Sequence, residues 1–153
     1  MKDITIHVLK GFCSLVFGNN PQKAVNIFGE PDEQEELMDE VLNEKNHIYH
    51  YWSKGFSLFF KDDEDKGLHC VEVDNKETLL LGEKIFNLNE EEIKALFKKN
   101  AYPLSETEQH AWGEKRLSFD EAFADLYFEN GKLISINFCA PNYLVSVANF
   151  NLN

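Results

Sequence analysis

The chain has 153 residues, 43% hydrophobic and 13% aromatic, which suits one domain or two small fused repeats and excludes a disordered polymer. Its net charge of −12 opposes binding to nucleic-acid phosphates and would attract a basic protein. The three cysteines, Cys13, Cys70 and Cys139, form no C-x-x-C pair, so they suggest neither a disulfide framework nor a zinc knuckle and read as reduced, mostly buried thiols.

Ile4, Ile6 and Val8 alternate with polar residues, the pattern of a strand with one buried face. This N-terminus lacks the apolar block of a signal peptide, and no apolar run approaches the roughly 20 residues that span a bilayer. A cytoplasmic chain with no membrane contact is the expectation. Phe12 to Phe17 is a second short apolar run. Asn20 then reads as a helix N-cap, with Pro21 at the first helical position, Ala24, Ile27 and Phe28 at helical spacing, and Gly29 and Pro31 as the stop. Asp32 to Glu44 is strongly acidic, and the stripe of Leu37, Met38, Val41 and Leu42 within it predicts a second short helix.

Two aromatic strands are predicted over His47 to Trp52 and Gly55 to Phe60, joined by a turn at Ser53-Lys54-Gly55. A charged hairpin loop from Lys61 to Gly67 leads to a returning strand over Leu68 to Val73, and a short strand follows over Thr78 to Leu81. The most strongly marked helix comes next. Asn89 and Glu92 have capping-box spacing, Leu88 and Ile93 suit a hydrophobic staple, and Glu90 to Glu92 and Lys98-Lys99 complement the two ends of the helix dipole. Asn130-Gly131 signals a hairpin, and Tyr143 to Ala148 reads as a final strand.

The order repeats itself. Phe17, Asn20, Ile27 and Phe28 match Phe86, Asn89, Leu96 and Phe97 at a constant offset of 69. Leu58 and Phe60 match Leu126 and Phe128 at 68, and Leu68, Val71 and Val73 match Leu133, Ile136 and Phe138 at 65, a drift explained by a shorter second hairpin. The expected fold is α+β, built from two tandem helix-plus-antiparallel-meander repeats over residues 1–82 and 83–153 of one compact unit, with the helices on one sheet face. Whether the two meanders share a sheet is left open by the sequence.

Phe17-Gly18, Ala24-Val25, Phe28-Gly29-Glu30-Pro31-Asp32, Tyr49-His50-Tyr51-Trp52, Leu58-Phe59-Phe60, Leu68 and Val71 together form a pattern. It resembles the signature of small bacterial domains of the SmpA/OmlA and β-lactamase-inhibitor-protein type. The resemblance implies a helix pair followed by a meander, in tandem in the inhibitors, and a scaffold used for tight protein binding. It covers the first copy well and the second poorly, because Lys98-Lys99-Asn100 replaces Gly-x-Pro and Pro103 comes late. The relatives' leader and paired cysteines are absent too, so export and β-lactamase binding do not carry over.

Catalytic signals are missing. His47 and His50, three apart on a strand, face opposite sides and cannot share a metal. Asp62 to Gly67 resembles a calcium loop only superficially, since Val73 occupies the position that requires Glu. No nucleophile elbow, phosphate loop or zinc motif occurs, so no catalytic residue, metal or cofactor is expected. Partner contacts are assigned instead to the aromatics Tyr49, Tyr51, Trp52 and Phe59, to the acidic run Asp62, Asp63, Glu64 and Asp65, and to a second acidic patch of Asp32, Glu33, Glu35 and Glu36. A sheet covered on both faces would instead make the aromatics core.

The reading these features carry is a cytoplasmic, non-enzymatic bacterial immunity protein. It would bind and occlude a basic toxin domain, such as a nuclease, by acidic steering and aromatic anchoring. The alternative is a small-molecule-binding module or enzyme with a site between the two repeats; a housekeeping scaffold also stays open.

Overall fold

A computed structural model describes residues 4–41, 43–61 and 67–141. The fold is α+β and mostly strand. The first strands are β1 (Thr5–His7), β2 (Gly11–Phe12) and β3 (Leu15–Val16), followed by α1 (Pro21–Phe28). The Asn20 side chain accepts from the Lys23 N–H, and Gly29 ends the helix at φ 86°, as the cap and stop residues predict. Next come β4 (Glu33–Asp39), β5 (Glu44–Tyr51), a 3-10 turn (Trp52–Lys54), β6 (Phe56–Lys61) and β7 (Leu68–Val73). The short strands β8 (Leu79–Leu80) and β9 (Glu83–Lys84) and a second 3-10 turn (Ile85–Asn87) precede α2 (Glu90–Lys99). Asn89 and Glu92 close the expected capping box reciprocally. The chain then forms β10 (Glu106–Gln109), β11 (Glu114–Phe119), a third 3-10 turn (Asp120–Ala122), β12 (Ala124–Glu129) and β13 (Lys132–Cys139).

Eight of these strands make one antiparallel sheet in the order β10-β11-β12-β13-β7-β6-β5-β4, so the two meanders do join, through the β7–β13 pair. A smaller sheet, β3-β2-β1-β8-β9, contains a parallel β1–β8 pair. The boundary expected after residue 82 falls in the turn between β8 and β9, which pair with each other. Both helices pack on one face of the large sheet: Phe28 meets Tyr51 and Phe56, and Phe97 stacks on Phe119. Phe12 of the small sheet touches Phe28, Phe56 and Phe138 and so fills the same layer. The core is continuous through these residues and Leu58, Phe60, Val71, Leu117, Leu126, Phe128 and Ile136.

Three expectations need correction. Residues 33–39 are an edge strand, not the start of a helix. Pairing with β5 supplies a backbone ladder that outweighs the local apolar stripe, and the acidic side chains suit an exposed edge. Each meander carries an edge strand beyond those predicted, β4 or β10, and neither segment has an apolar alternation that would mark it. Cys70 and Cys139 are disulfide-bonded, not reduced, because β7 and β13 bring them directly opposite each other. The Asp62–Asp65 loop and the Tyr143–Ala148 strand lie outside the described residues. No helix among the described residues is long and apolar enough to cross a membrane.

Candidate functional site on the far face of the sheet

Side chains alternate across a strand. Tyr51, Phe56 and Phe119 face the helices, so their sequence neighbours His50, Ser57 and Ser118 project from the far face. Direct cross-strand register aligns one residue from every strand of that face: Glu33, His50, Ser57, Glu72, Asn137, Asp125, Ser118 and Glu106. The whole row is polar. It carries four carboxylates and no lysine or arginine.

His50 is the hub of the first half of this row. Its Nε2 lies 2.8 Å from Glu35 Oε1 and its Nδ1 lies 2.7 Å from Ser57 Oγ. An ionised Glu35 accepts only, so Nε2 carries a proton, and on a neutral ring Nδ1 then accepts the Ser57 hydroxyl proton. His50 and Ser57 are both buried, and the Trp52 indole stacks on the imidazole with 4.0 Å between ring centroids. The same two strand positions in the second half hold Ser118 and Asp125, whose Oγ–Oδ1 distance is 2.6 Å. Arg116 hydrogen-bonds to Ser118 and to Glu108 beside them. That guanidinium holds the Glu108 carboxyl below its ordinary range, and Glu108 in turn raises Arg116.

A serine, a histidine and a carboxylate in series suggest acyl transfer, but the surroundings oppose it. Ser57 sits mid-strand between two paired neighbours, and the residue facing it from β7 is Glu72. An oxyanion needs aimed N–H donors at that point, and a carboxylate there is repulsive. The triad is better described as a clamp that fixes the orientation of His50 and therefore of Trp52.

Beside Ser57 lies a small cavity of about 60 Å³ lined by Trp52, Gly55, Phe56, Ser57, Glu72 and Asp74. The shape depends on the backbone at Gly55. Its φ is +79°, and a Cβ there would lie 2.8 Å from the Asn75 Cβ. The cavity is far below the size of a cofactor or drug-sized ligand site, and its residues all come from the first half of the chain rather than from a junction of the two. Among the described residues, no group of three His, Cys, Asp or Glu side chains could hold a metal ion.

The predicted contact residues separate. Trp52 is 60% exposed and Phe59 is half-buried on the far face, where Ile48 is fully buried, so that face is not bare throughout. Tyr49 packs against Phe60 on the helix side. Tyr51 is 1% exposed and donates to the Gly29 carbonyl, a core position from which no partner is reached. Burial, with Tyr49 and nearby carboxylates, pushes its phenol up to about 12. Glu33 joins the polar row and Glu35 holds His50, whereas Glu36 points to the helix side and pairs with Lys45 and His47. Asp32 accepts from the N–H and hydroxyl of Ser53, and these bonds lower its pKa. Asp62, Asp63, Glu64 and Asp65 lie outside the described residues.

Sequence reasoning missed His50, Ser57 and Glu72 as one row. A signal existed, since a hairpin closing at Tyr51 and Phe56 sets His50 opposite Ser57. It also missed Trp112, 68% exposed in the β10–β11 turn and stacked on His110, which contacts Glu108. Comparison of the chain with protein-family models, with curated proteins and with solved structures yields no match.

Proposed function

We propose that this chain is a non-enzymatic acidic binding protein that engages a basic protein through the far face of its large sheet. The observation that carries this reading is the polar row across eight strands, with four carboxylates, two of them paired with Arg116 beside the row, and no lysine or arginine within it, flanked by two exposed tryptophans. Acidic rows raise association rates with basic partners, and tryptophan supplies contact energy. The narrower form is a bacterial immunity protein that occludes a toxin domain. It is supported by the acidity, the absence of a motif for chemistry and the binding face, together with the resemblance to inhibitor scaffolds.

The test is affinity capture from native cells, followed by reconstitution with the captured protein. A stoichiometric basic partner that dissociates with rising salt, binds at least about ten-fold more weakly to a Trp52→Ala, Trp112→Ala double variant, and loses its activity in the complex supports the reading. A partner unaffected by both substitutions, or no stoichiometric partner, overturns it.

Two finer proposals accompany it. The chain is read as two fused copies, with support from matching element order, matching Asn-capped helices, and left-handed residues Gly55 and Phe123 after equivalent 3-10 turns. An experimental structure in which residues 44–61 fail to superpose on 112–129 removes that proposal. A cytoplasmic location requires that protein alkylated in intact cells carry reduced Cys70 and Cys139; recovery of the intact disulfide assigns an oxidising compartment.

A further inference from the structure

We propose that the cavity beside Ser57 is a socket for one guanidinium group, the side chain of an arginine on the protein partner. The source of the group rests on the protein-binding reading above; its chemistry rests on the cavity. On a neutral His50 ring held by Glu35 at Nε2, the Ser57 hydroxyl donates to Nδ1, which leaves the Ser57 oxygen to accept. The two charged side chains of the lining, Glu72 and Asp74, are carboxylates, and Trp52 adds an indole N–H donor. Neither carboxylate has an ion-pair partner among the described residues.

A pocket whose only charged side chains are two carboxylates favours a cationic donor, an ammonium or a guanidinium. Two features choose between them. Trp52 forms one wall, and a planar, weakly hydrated guanidinium stacks on indole better than a compact ammonium. The His50 ring braces that indole in one orientation, so the wall is preformed. The volume of about 60 Å³ suits a small head group.

The experiment titrates the full chain with Nα-acetyl-arginine amide and follows the two indole N–H resonances by NMR. Nα-acetyl-citrulline amide, nearly isosteric and uncharged, is the control, and the lysine analogue is the competitor. The expected result is a saturable shift of the Trp52 indole with the Trp112 indole unmoved. Citrulline should bind at least about ten-fold more weakly, lysine less tightly than arginine, and the Glu72→Gln, Asp74→Asn double variant at least about ten-fold more weakly while keeping its far-UV spectrum. Equal binding of citrulline, unchanged binding by the double variant, or equal movement of both indoles, which marks general attraction to an acidic surface, overturns the socket. Lysine binding as tightly as arginine overturns the choice of guanidinium. The two readings fail separately. Loss of the socket with Trp-dependent partner capture intact leaves the binding function standing, and a working socket with no protein partner removes that function alone.

Discussion

Tyr51 shows how a residue's surroundings decide its role. In sequence it sits among aromatics that look suited to an interface, yet its ring packs on Phe28 and Phe56 and its hydroxyl bonds the Gly29 carbonyl at 2.9 Å. Tyr51→Phe removes only that bond and is expected to cost about 1 kcal/mol in urea denaturation. Tyr51→Ala opens a cavity and is expected to cost about 3–5 kcal/mol. Partner affinity should be unchanged by Tyr51→Phe. His69 contributes a pH dependence to stability. Burial, assisted by Lys61, lowers its pKa to about 4 despite the opposing effect of Glu44, and its Nε2 meets Asn46 Oδ1 at 2.9 Å. The unfolded chain binds a proton on this ring below about 6.5, whereas the folded chain does so only below about 4. Stability from His69 is therefore complete above about pH 6.5 and falls as pH drops towards 4, with a slope of up to one proton. Thermal melts at a series of pH values should show that slope reduced in His69→Gln.

The elements that the sequence specified best are those whose ends are chemically marked. Helix α2 is short, and its first turn is fixed by the Asn89–Glu92 capping box, with Glu90 joined to Lys94 and to Lys115 of β11. Burial works to raise the Glu90 pKa, but its lysine partners hold it below the ordinary value. Asn89→Ala should destabilise the protein by about 1 kcal/mol, and Asn89→Gly by only a few tenths. Equal losses in chemical denaturation would show that the side-chain bond does not carry the effect. The edge strands β4 and β10 are the opposite case. Little within either segment marks it as a strand, because half-solvated charged residues satisfy no apolar period; their partners β5 and β11 make them strands.

Across the whole molecule, the β7–β13 pair is the joint. Ala140 N–H donates to His69 O at 2.7 Å, which makes Cys70 and Cys139 a pair flanked by, rather than sharing, ladder hydrogen bonds. Side chains approach most closely at such pairs, and here the Cα atoms are 4.0 Å apart. The disulfide links positions 69 residues apart and so restricts the unfolded chain, a constraint of about 2–4 kcal/mol. Dithiothreitol should lower the stability of the oxidised protein by that amount and leave a Cys70→Ser, Cys139→Ser variant unchanged.

Sequence alone determined helices α1 and α2, their caps, the β5–β6 and β12–β13 hairpins and the α+β class. Those depend on nearby residues: a capping side chain three positions from its N–H, or a turn between two apolar runs. Tertiary structure decided the rest. Cys70 meets Cys139, and Glu72 joins Asn137, only because β7 and β13, distant in sequence, pair in one register, and no local pattern encodes that register. The far face is legible residue by residue, as acid, aromatic or hydroxyl. Its order as a single polar row comes from sheet pairing, since side chains separated by most of the chain become neighbours only when their backbones share hydrogen bonds.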